Sequence, residues 1–271
     1  MLTIRPLSTL DLAELQPYRT LRQSVEQFRE SRFVAEGEKV VRRLLETSLH
    51  IFSVLVTPEW LEALRPALER RPEEVVVLTA ERSVLETIVG FHLHQGIMAL
   101  AAIPAPATLD DVLRLPPPRL IVALDGLTNA ENIGVLVRNC AAFGVQALLA
   151  GETSSSPYLR RAVRNSMGAV FTLPVVHSMD LAADLGRLRA AGIFVAAAHP
   201  HAEGTQIQAQ NWTRDVCVIV GSEGDGVSAG ILTACDAAVA IPMQNGIDSL
   251  NVANATAVFL YEIDRQRRTG K

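Results

Sequence analysis

Lysine is nearly absent from this 271-residue chain: only Lys39 and Lys271 stand among its 25 basic residues, and all the others are arginines. A Walker loop needs a lysine followed by serine or threonine to reach nucleotide phosphates, and neither lysine stands in that setting. Cysteine is equally scarce. Cys140, Cys217 and Cys235 are odd in number and far apart, which excludes a disulfide frame or a cysteine-rich zinc site and reads as small core residues in a reducing cytosol. No apolar run approaches the roughly 18 residues that a membrane span requires. The opening MLTIRPLSTLDLAEL has no basic segment followed by an apolar one, so secretion is not expected and a cytoplasmic location is. There is no G-x-S-x-G elbow, internal repeat or low-complexity tract. The net charge of −4 argues mildly against a nucleic-acid partner, which usually leaves a basic footprint. Arginines do cluster, at Arg42 and Arg43, at Arg160, Arg161 and Arg164, and at Arg265, Arg267 and Arg268. Each cluster taken alone reads as a solvated helix face.

What is present is a globular composition, 49% hydrophobic and 20% charged, in a chain long enough for one large domain or two ordinary ones. Five prolines crowd residues 103–119, and stiff, helix-breaking proline marks 104–118 as a linker between a unit at 1–103 and one at 119–271. In the first unit a helix starts near Gly37, IFSVLVT and EVVVLT are strand-like, and EWLEALRPALERR is helical. In the second, LIVALD, VQALLA, IFVAAA, VCVIVG and AAVAIP are short runs apolar on both faces, the pattern of a parallel sheet covered by helices. This predicts an α/β domain with ligands near the carboxyl ends of its strands.

Three polar turns follow such strands. In residues 241–263 Ser249 is placed to cap a long apolar helix, yet Asn251 and Asn254 fall in its first turns, where amides need partners. In residues 124–144 Asn132 stands where a loop becomes a helix, placed to cap it, and Gly134, Arg138 and Ala142 share a face at a spacing of four. An arginine between two small residues has room to bend into a pocket or meet a partner chain; the alternative is a surface arginine paired with a carboxylate. The third turn, Gly221-Ser222-Glu223-Gly224-Asp225-Gly226, lets backbone approach a ligand closely. Its G-x-x-G-x-G order is not that of a dinucleotide fold, and two carboxylates make a poor pyrophosphate cradle, so a ligand with little negative charge fits better. An ordinary turn into a helix capped by Ser228 accounts for it equally simply. The pairs His92-x-His94 and His199-x-His201 have no third ligand nearby, so no metal is expected.

In this order the segments resemble the SpoU/TrmH family of RNA ribose 2′-O-methyltransferases, of the SPOUT superfamily. The resemblance rests on Asn132-x-Gly134 with Arg138, on Gly221-Ser222-Glu223-Gly224, and on Ile241-Pro242-Met243 followed by Ser249-Leu250-Asn251-Val252. RNSMGAVFTLP (164–174) is similar to the family's connecting segment. Phe33-Val34-Ala35-Glu36-Gly37, Gly90-Phe91 and His94-Gln95-Gly96 are similar to its N-terminal substrate-binding domain. Asn245 replaces a customary glycine, and Ala130-Glu131 replaces a proline-containing turn. The resemblance implies a SPOUT-type α/β parallel sheet with a C-terminal trefoil knot, plus a smaller N-terminal α/β domain that binds RNA substrate. It implies S-adenosylmethionine held at Gly221, Ile241, Met243, Leu250 and Asn251. It makes Arg138 the catalytic arginine and Asn132, Glu223, Ser249 and Asn251 residues that shape the site, with Glu223 bonded to Asn132 or Arg138. It implies a homodimer packed through Ala253 and Ala257, RNA as partner (ribosomal rather than transfer RNA, by analogy with the extra domain), and no membrane or metal. A transfer-RNA enzyme of the same family and a non-catalytic RNA-binding or ribosome-assembly protein are the competing readings.

Overall fold

The computed structural model describes residues 2–7, 9, 11–20, 31–89, 95–202 and 205–270; Gly90, Phe91, His92 and His94 lie outside them. The chain divides into two compact units, one of residues 1–104 with 157–171 and one of residues 105–156 with 172–271.

The first unit is built on strands β1 (Leu2–Pro6), β2 (Arg32–Glu36), β3 (Ile51–Val56), β4 (Val75–Thr79) and β5 (Ile97–Ala102), in the order β1-β4-β3-β5-β2. β1, β4 and β3 run parallel, and β5 is antiparallel to both β3 and β2. Helix Glu38–Leu45 begins after Gly37 at φ 95°, a conformation that costs any residue with a Cβ, and it buries Val40, Val41, Leu44 and Leu45. Helix Pro58–Glu69 has proline at its first position, where the missing N–H is no loss. Leu15, Tyr18, Val34, Leu55, Leu78, Leu85 and Met98 form the core. The helices and strands expected at IFSVLVT, EWLEALRPALERR and EVVVLT are present, whereas β1, β2 and β5 go unread in the sequence. They are five or six residues long, and β2 and β5 become strands by pairing with each other across the chain.

Residues 157–171 complete this unit, which corrects the boundary that runs the second domain unbroken from 119. The buried Glu36 carboxylate accepts from Arg160 Nη1 at 2.7 Å and Arg164 Nη1 at 3.0 Å. Arg43 Nη1 donates to the Met167 carbonyl at 2.5 Å, and the Phe33 ring meets Tyr158 and Phe171. Arg160 is therefore an internal counter-ion, not part of a solvated face.

In the second unit β6 (Leu120–Leu124), β7 (Ala147–Ala150), β8 (Val175–His177), β9 (Phe194–Ala198), β10 (Val216–Val220) and β11 (Ala237–Val239) form one sheet. Its order is β11-β9-β10-β6-β7-β8, and every pair is parallel. Ile121, Ala123, Leu149, Val195 and Ile219 pack against Leu181, Leu185 and Leu188, and the alternate residues Val122, Leu124, Val218 and Val220 are buried as well. Both faces are covered, as the unbroken apolar runs require. The proline-rich stretch is not a linker. Thr108 and Asp111 form a reciprocal capping box on helix Leu109–Leu113, which satisfies two orphan backbone donors, and Leu109 and Val112 enter the core.

The last helix, Val252–Thr269, ends at Gly270 in the left-handed region, φ 66°. Buried Trp212 donates its indole N–H to the Ile207 carbonyl at 2.7 Å and its backbone N–H to Gln266 Oε1 at 3.0 Å. Arg267 donates to the carbonyls of Arg119 at 2.7 Å and Arg214 at 2.8 Å, and burial draws its pKa below the ordinary arginine value. It too is a structural residue.

Candidate active site

The glycine loop after β10 is closed on itself. Ser222 and Gly226 exchange backbone hydrogen bonds of 3.0 and 3.1 Å, and Ser222 Oγ accepts from the Asp225 N–H at 3.1 Å. A Cβ on Gly221 would stand 2.0 Å from the Gly226 carbonyl carbon and 2.2 Å from the Val227 nitrogen, so this glycine is required by close backbone approach. Ser228 occupies the N-cap of helix Ala229–Ala234, but its hydroxyl makes no capping bond. Its N–H instead donates to Asp125 Oδ2 at 2.7 Å, which ties the loop after β10 to the end of neighbouring β6.

Helix Ala130–Ala142 is capped by Asn129, whose Oδ1 accepts from the N–H groups of Glu131 at 2.9 Å and Asn132 at 3.3 Å. This corrects the expectation that Asn132 is the cap. Lying in the first turn, Asn132 has a free side chain, and its Nδ2 donates to Glu223 Oε1. The last helix shows the same correction. Asn251, not Ser249, is its N-cap, with Oδ1 accepting from Ala253 N–H at 3.0 Å. The Nδ2 of Asn251 then reaches Asn132 Oδ1 at 3.1 Å and Glu223 Oε1 at 3.3 Å. Three turns distant in sequence thus meet at one carboxylate that accepts from two amides.

A cavity of about 520 Å³ opens at the carboxyl ends of β9, β10 and β11, within the range of roughly 300–1,000 Å³ typical of small-molecule sites. Val220, Ile241, Leu250 and Phe259 give it apolar walls, and Gly221, Met243, Ser249, Asn251 and Glu223 also line it. Asn132 and Arg138 do not. Asp225, Asp248, His199 and His201 are further lining residues. The sequence offered no signal for Asp248 and Phe259, and the histidines drew notice only as metal candidates. Among the described residues no lysine or arginine lines the cavity, whereas Glu223, Asp225 and Asp248 do, a lining that disfavours phosphates and suits an uncharged or cationic ligand. Asn245 sits at φ 59° and Gly246 at φ 69°; asparagine tolerates the left-handed region better than most residues, so the turn survives the departure from glycine. Among the described residues no group of three His, Cys, Asp or Glu is placed to hold a metal ion, and no helix is long and apolar enough to cross a membrane.

Arg138 lies on the exposed side of helix Ala130–Ala142. Every other arginine of the second unit has a hydrogen bond, ion pair or ring contact, whereas Arg138 has none among the described residues.

An all-parallel sheet with a cavity at its strand ends, floored by a closed glycine loop, defines an α/β domain with a small-molecule site at the carboxyl edge of its sheet. The profile of the SpoU rRNA methylase family matches residues 119–261, and the chain belongs to that family. It is 33% identical over 237 residues to an uncharacterized tRNA/rRNA methyltransferase of Mycobacterium tuberculosis, covering 86% of this chain and 80% of that protein. The SpoU methyltransferase AviRb from Streptomyces viridochromogenes, in complex with the cofactor AdoMet, superposes with a TM-score of 0.83 at 26% identity, over 96% of this chain and 100% of that one. A structure described as an RNA 2′-O ribose methyltransferase gives a TM-score of 0.78 at 27% identity, over 99% and 100%.

Proposed function

We propose that this SpoU-family enzyme methylates a ribose 2′-hydroxyl of RNA, ribosomal RNA in the first instance, with S-adenosylmethionine as donor. The observation that carries the reading is Arg138, without a partner among the described residues and on the same helix as Asn132 of the three-turn cluster. The cavity's chemistry fits the donor: apolar walls take an adenosine, a lining without basic residues among those described matches the lack of phosphates, and three carboxylates tolerate its positive charge. Gly221, Ile241, Met243, Leu250 and Asn251 would hold it. When bound, S-adenosylmethionine supplies an electrophilic methyl group.

The chain's own residues then have to orient the ribose and stabilise charge on its 2′-oxygen. Arginine, with a pKa above about 12, is a very weak base, so Arg138 binds the adjacent phosphate and offsets the negative charge developing at that oxygen. Glu223, already accepting from two amides, positions Asn132 and Asn251, and the Ser249 hydroxyl shapes the cavity rim.

The family's trefoil knot gains support from topology. β11 is an edge strand, yet the chain that leaves it must bring Asn251 beside residues following β6 and β10. A homodimer in a reducing cytoplasm completes the proposal. All three cysteines are free, and Val135, Val258 and Tyr261 (59% exposed) give the two adjoining helices outward apolar groups. Ala253 does not belong to that surface, because it is buried within its own chain and its carbonyl accepts from Asn139 Nδ2; Ala257, half-buried on the same helix, stays in the proposed packing.

The test is transfer of label from radiolabelled S-adenosylmethionine to ribosomal and transfer RNA fractions. Alkali cleaves RNA through a free 2′-hydroxyl, so labelled dinucleotides that resist alkali are expected from the ribosomal fraction. Label released as mononucleotides would place the methyl on a base and sink the 2′-O assignment; label confined to transfer RNA would redirect the substrate.

A further inference from the structure

The first unit has a cavity of its own, of about 510 Å³, lined by Thr57, Glu59, Trp60, Glu81, Arg82 and Gln95 among others. It lies at the carboxyl ends of parallel β3 and β4, and no residue that lines it belongs to the active site. We propose that it is a base-binding pocket that takes one unstacked guanine of the substrate RNA. The proposal rests on the reading of the chain as an RNA methyltransferase and names a contact which that reading leaves open.

Four observations converge. The Trp60 ring lines the cavity and is fixed in place, with its indole N–H donating to the Gln95 carbonyl at 2.5 Å and Arg42 over the ring at 6.0 Å. A held aromatic ring at a cavity wall is what unpaired RNA bases stack on. Gln95 is pinned by its Oε1, which accepts from Glu38 N–H at 2.7 Å, so its amide nitrogen remains a donor with no partner among the described residues. Thr57 is only 8% exposed, and its Oγ1 makes no hydrogen bond although it stands at the N-cap of helix Pro58–Glu69. A buried hydroxyl without a partner is costly unless something arrives to pair with it. The Glu59 and Glu81 carboxylates have no side-chain partner among the described residues.

The charge decides what enters. Two carboxylates against one guanidinium repel a phosphate, so a base and not the backbone belongs here. Carboxylates require N–H donors. Guanine is the base that presents two adjacent donor groups, N1–H and the N2 amino group, to a single carboxylate, while its O6 accepts from an amide or hydroxyl such as those of Gln95 and Thr57. Adenine and cytosine offer one amino group each, and uracil a single ring N–H.

The chain is suited to a direct test, because it has two tryptophans and Trp212 is fully buried with its N–H engaged. Emission changes caused by added nucleotide therefore report Trp60. The full-length protein is titrated with GMP, AMP, CMP and UMP while fluorescence is followed, alongside Trp60→Phe and the isosteric Glu59→Gln/Glu81→Gln double variant. Saturable quenching by GMP, at least tenfold weaker for the other nucleotides, absent in Trp60→Phe and weakened at least tenfold in the double variant, is the expected result. Absence of saturable quenching, equal response to all four, or indifference to the glutamate changes overturns the pocket. Methyl transfer to RNA is assayed on the same preparation. Transfer without quenching rejects the pocket and leaves the methyltransferase standing, whereas quenching without transfer to any RNA rejects the enzyme reading.

Discussion

Asn251 Nδ2 donates to Asn132 Oδ1 at 3.1 Å across 119 residues of chain, and both amides also converge on Glu223 Oε1. Asn251 does so while its own Oδ1 caps the last helix, so one side chain starts a helix and closes the site.

Because the three groups form one network, their contributions are coupled. Asn132→Ala and Asn251→Ala are each expected to lower methyl transfer by about 10²-fold, the scale of a displaced catalytic constellation. The double variant should lose little more than either single one. A product of the two losses, measured by label incorporation, would show that the amides act independently.

Arg138 stabilises nothing in the folded chain that the described contacts reveal, so its removal should spare stability. Arg138→Ala is expected to abolish transfer, with S-adenosylmethionine binding by calorimetry and the thermal midpoint unchanged. Arg138→Lys should restore little, since a point charge lacks the planar fork that grips phosphate. Near-normal turnover in either variant removes Arg138 from the mechanism.

Gly221→Ala would place a methyl group 2.0 Å from the Gly226 backbone. Backbone cannot yield as a flexible side chain can, so the loop must open, at a cost of about 1–3 kcal/mol for overpacking. The expected readout is cofactor affinity lowered by about 5- to 150-fold, one factor of ten per 1.4 kcal/mol.

The first unit should be acid-sensitive at one pair. Burial would raise the pKa of Glu73, but bonds from Arg71, 2.6 Å from its carboxylate, and from the Ile51 N–H outweigh it and hold it at about 2 against an ordinary 4.5. A carboxylate depressed in the folded state stabilises above the unfolded value and loses that contribution as pH falls from about 4.5 toward 2. Thermal melts between those limits should drop steeply in the parent protein and less so in Glu73→Gln. Parallel curves would disprove the linkage.

Glu36 joins residues 32–36 to the inserted segment through Arg160 and Arg164, with its side chain 5% exposed. Removing one partner of a buried pair costs about 3–5 kcal/mol; with Arg164 half exposed, Glu36→Ala is expected near about 3 kcal/mol in denaturant melts.

The sequence by itself determined the all-parallel sheet, because strands covered on both faces must be apolar at every position, and that pattern is local. It also marked the three polar turns, since glycine and amides inside apolar periodicity conflict with ordinary burial. Tertiary structure decided the rest. Whether Asn129 or Asn132 caps a helix depends on which amide is claimed elsewhere, and Glu223, 91 residues away, claims Asn132. Proline spacing could not show that Leu109 and Val112 enter a core, nor arginine spacing that Arg160 answers Glu36 and Arg267 answers four carbonyls. Pairings between distant segments follow from how the chain is threaded through space, and no local pattern of residues records that path.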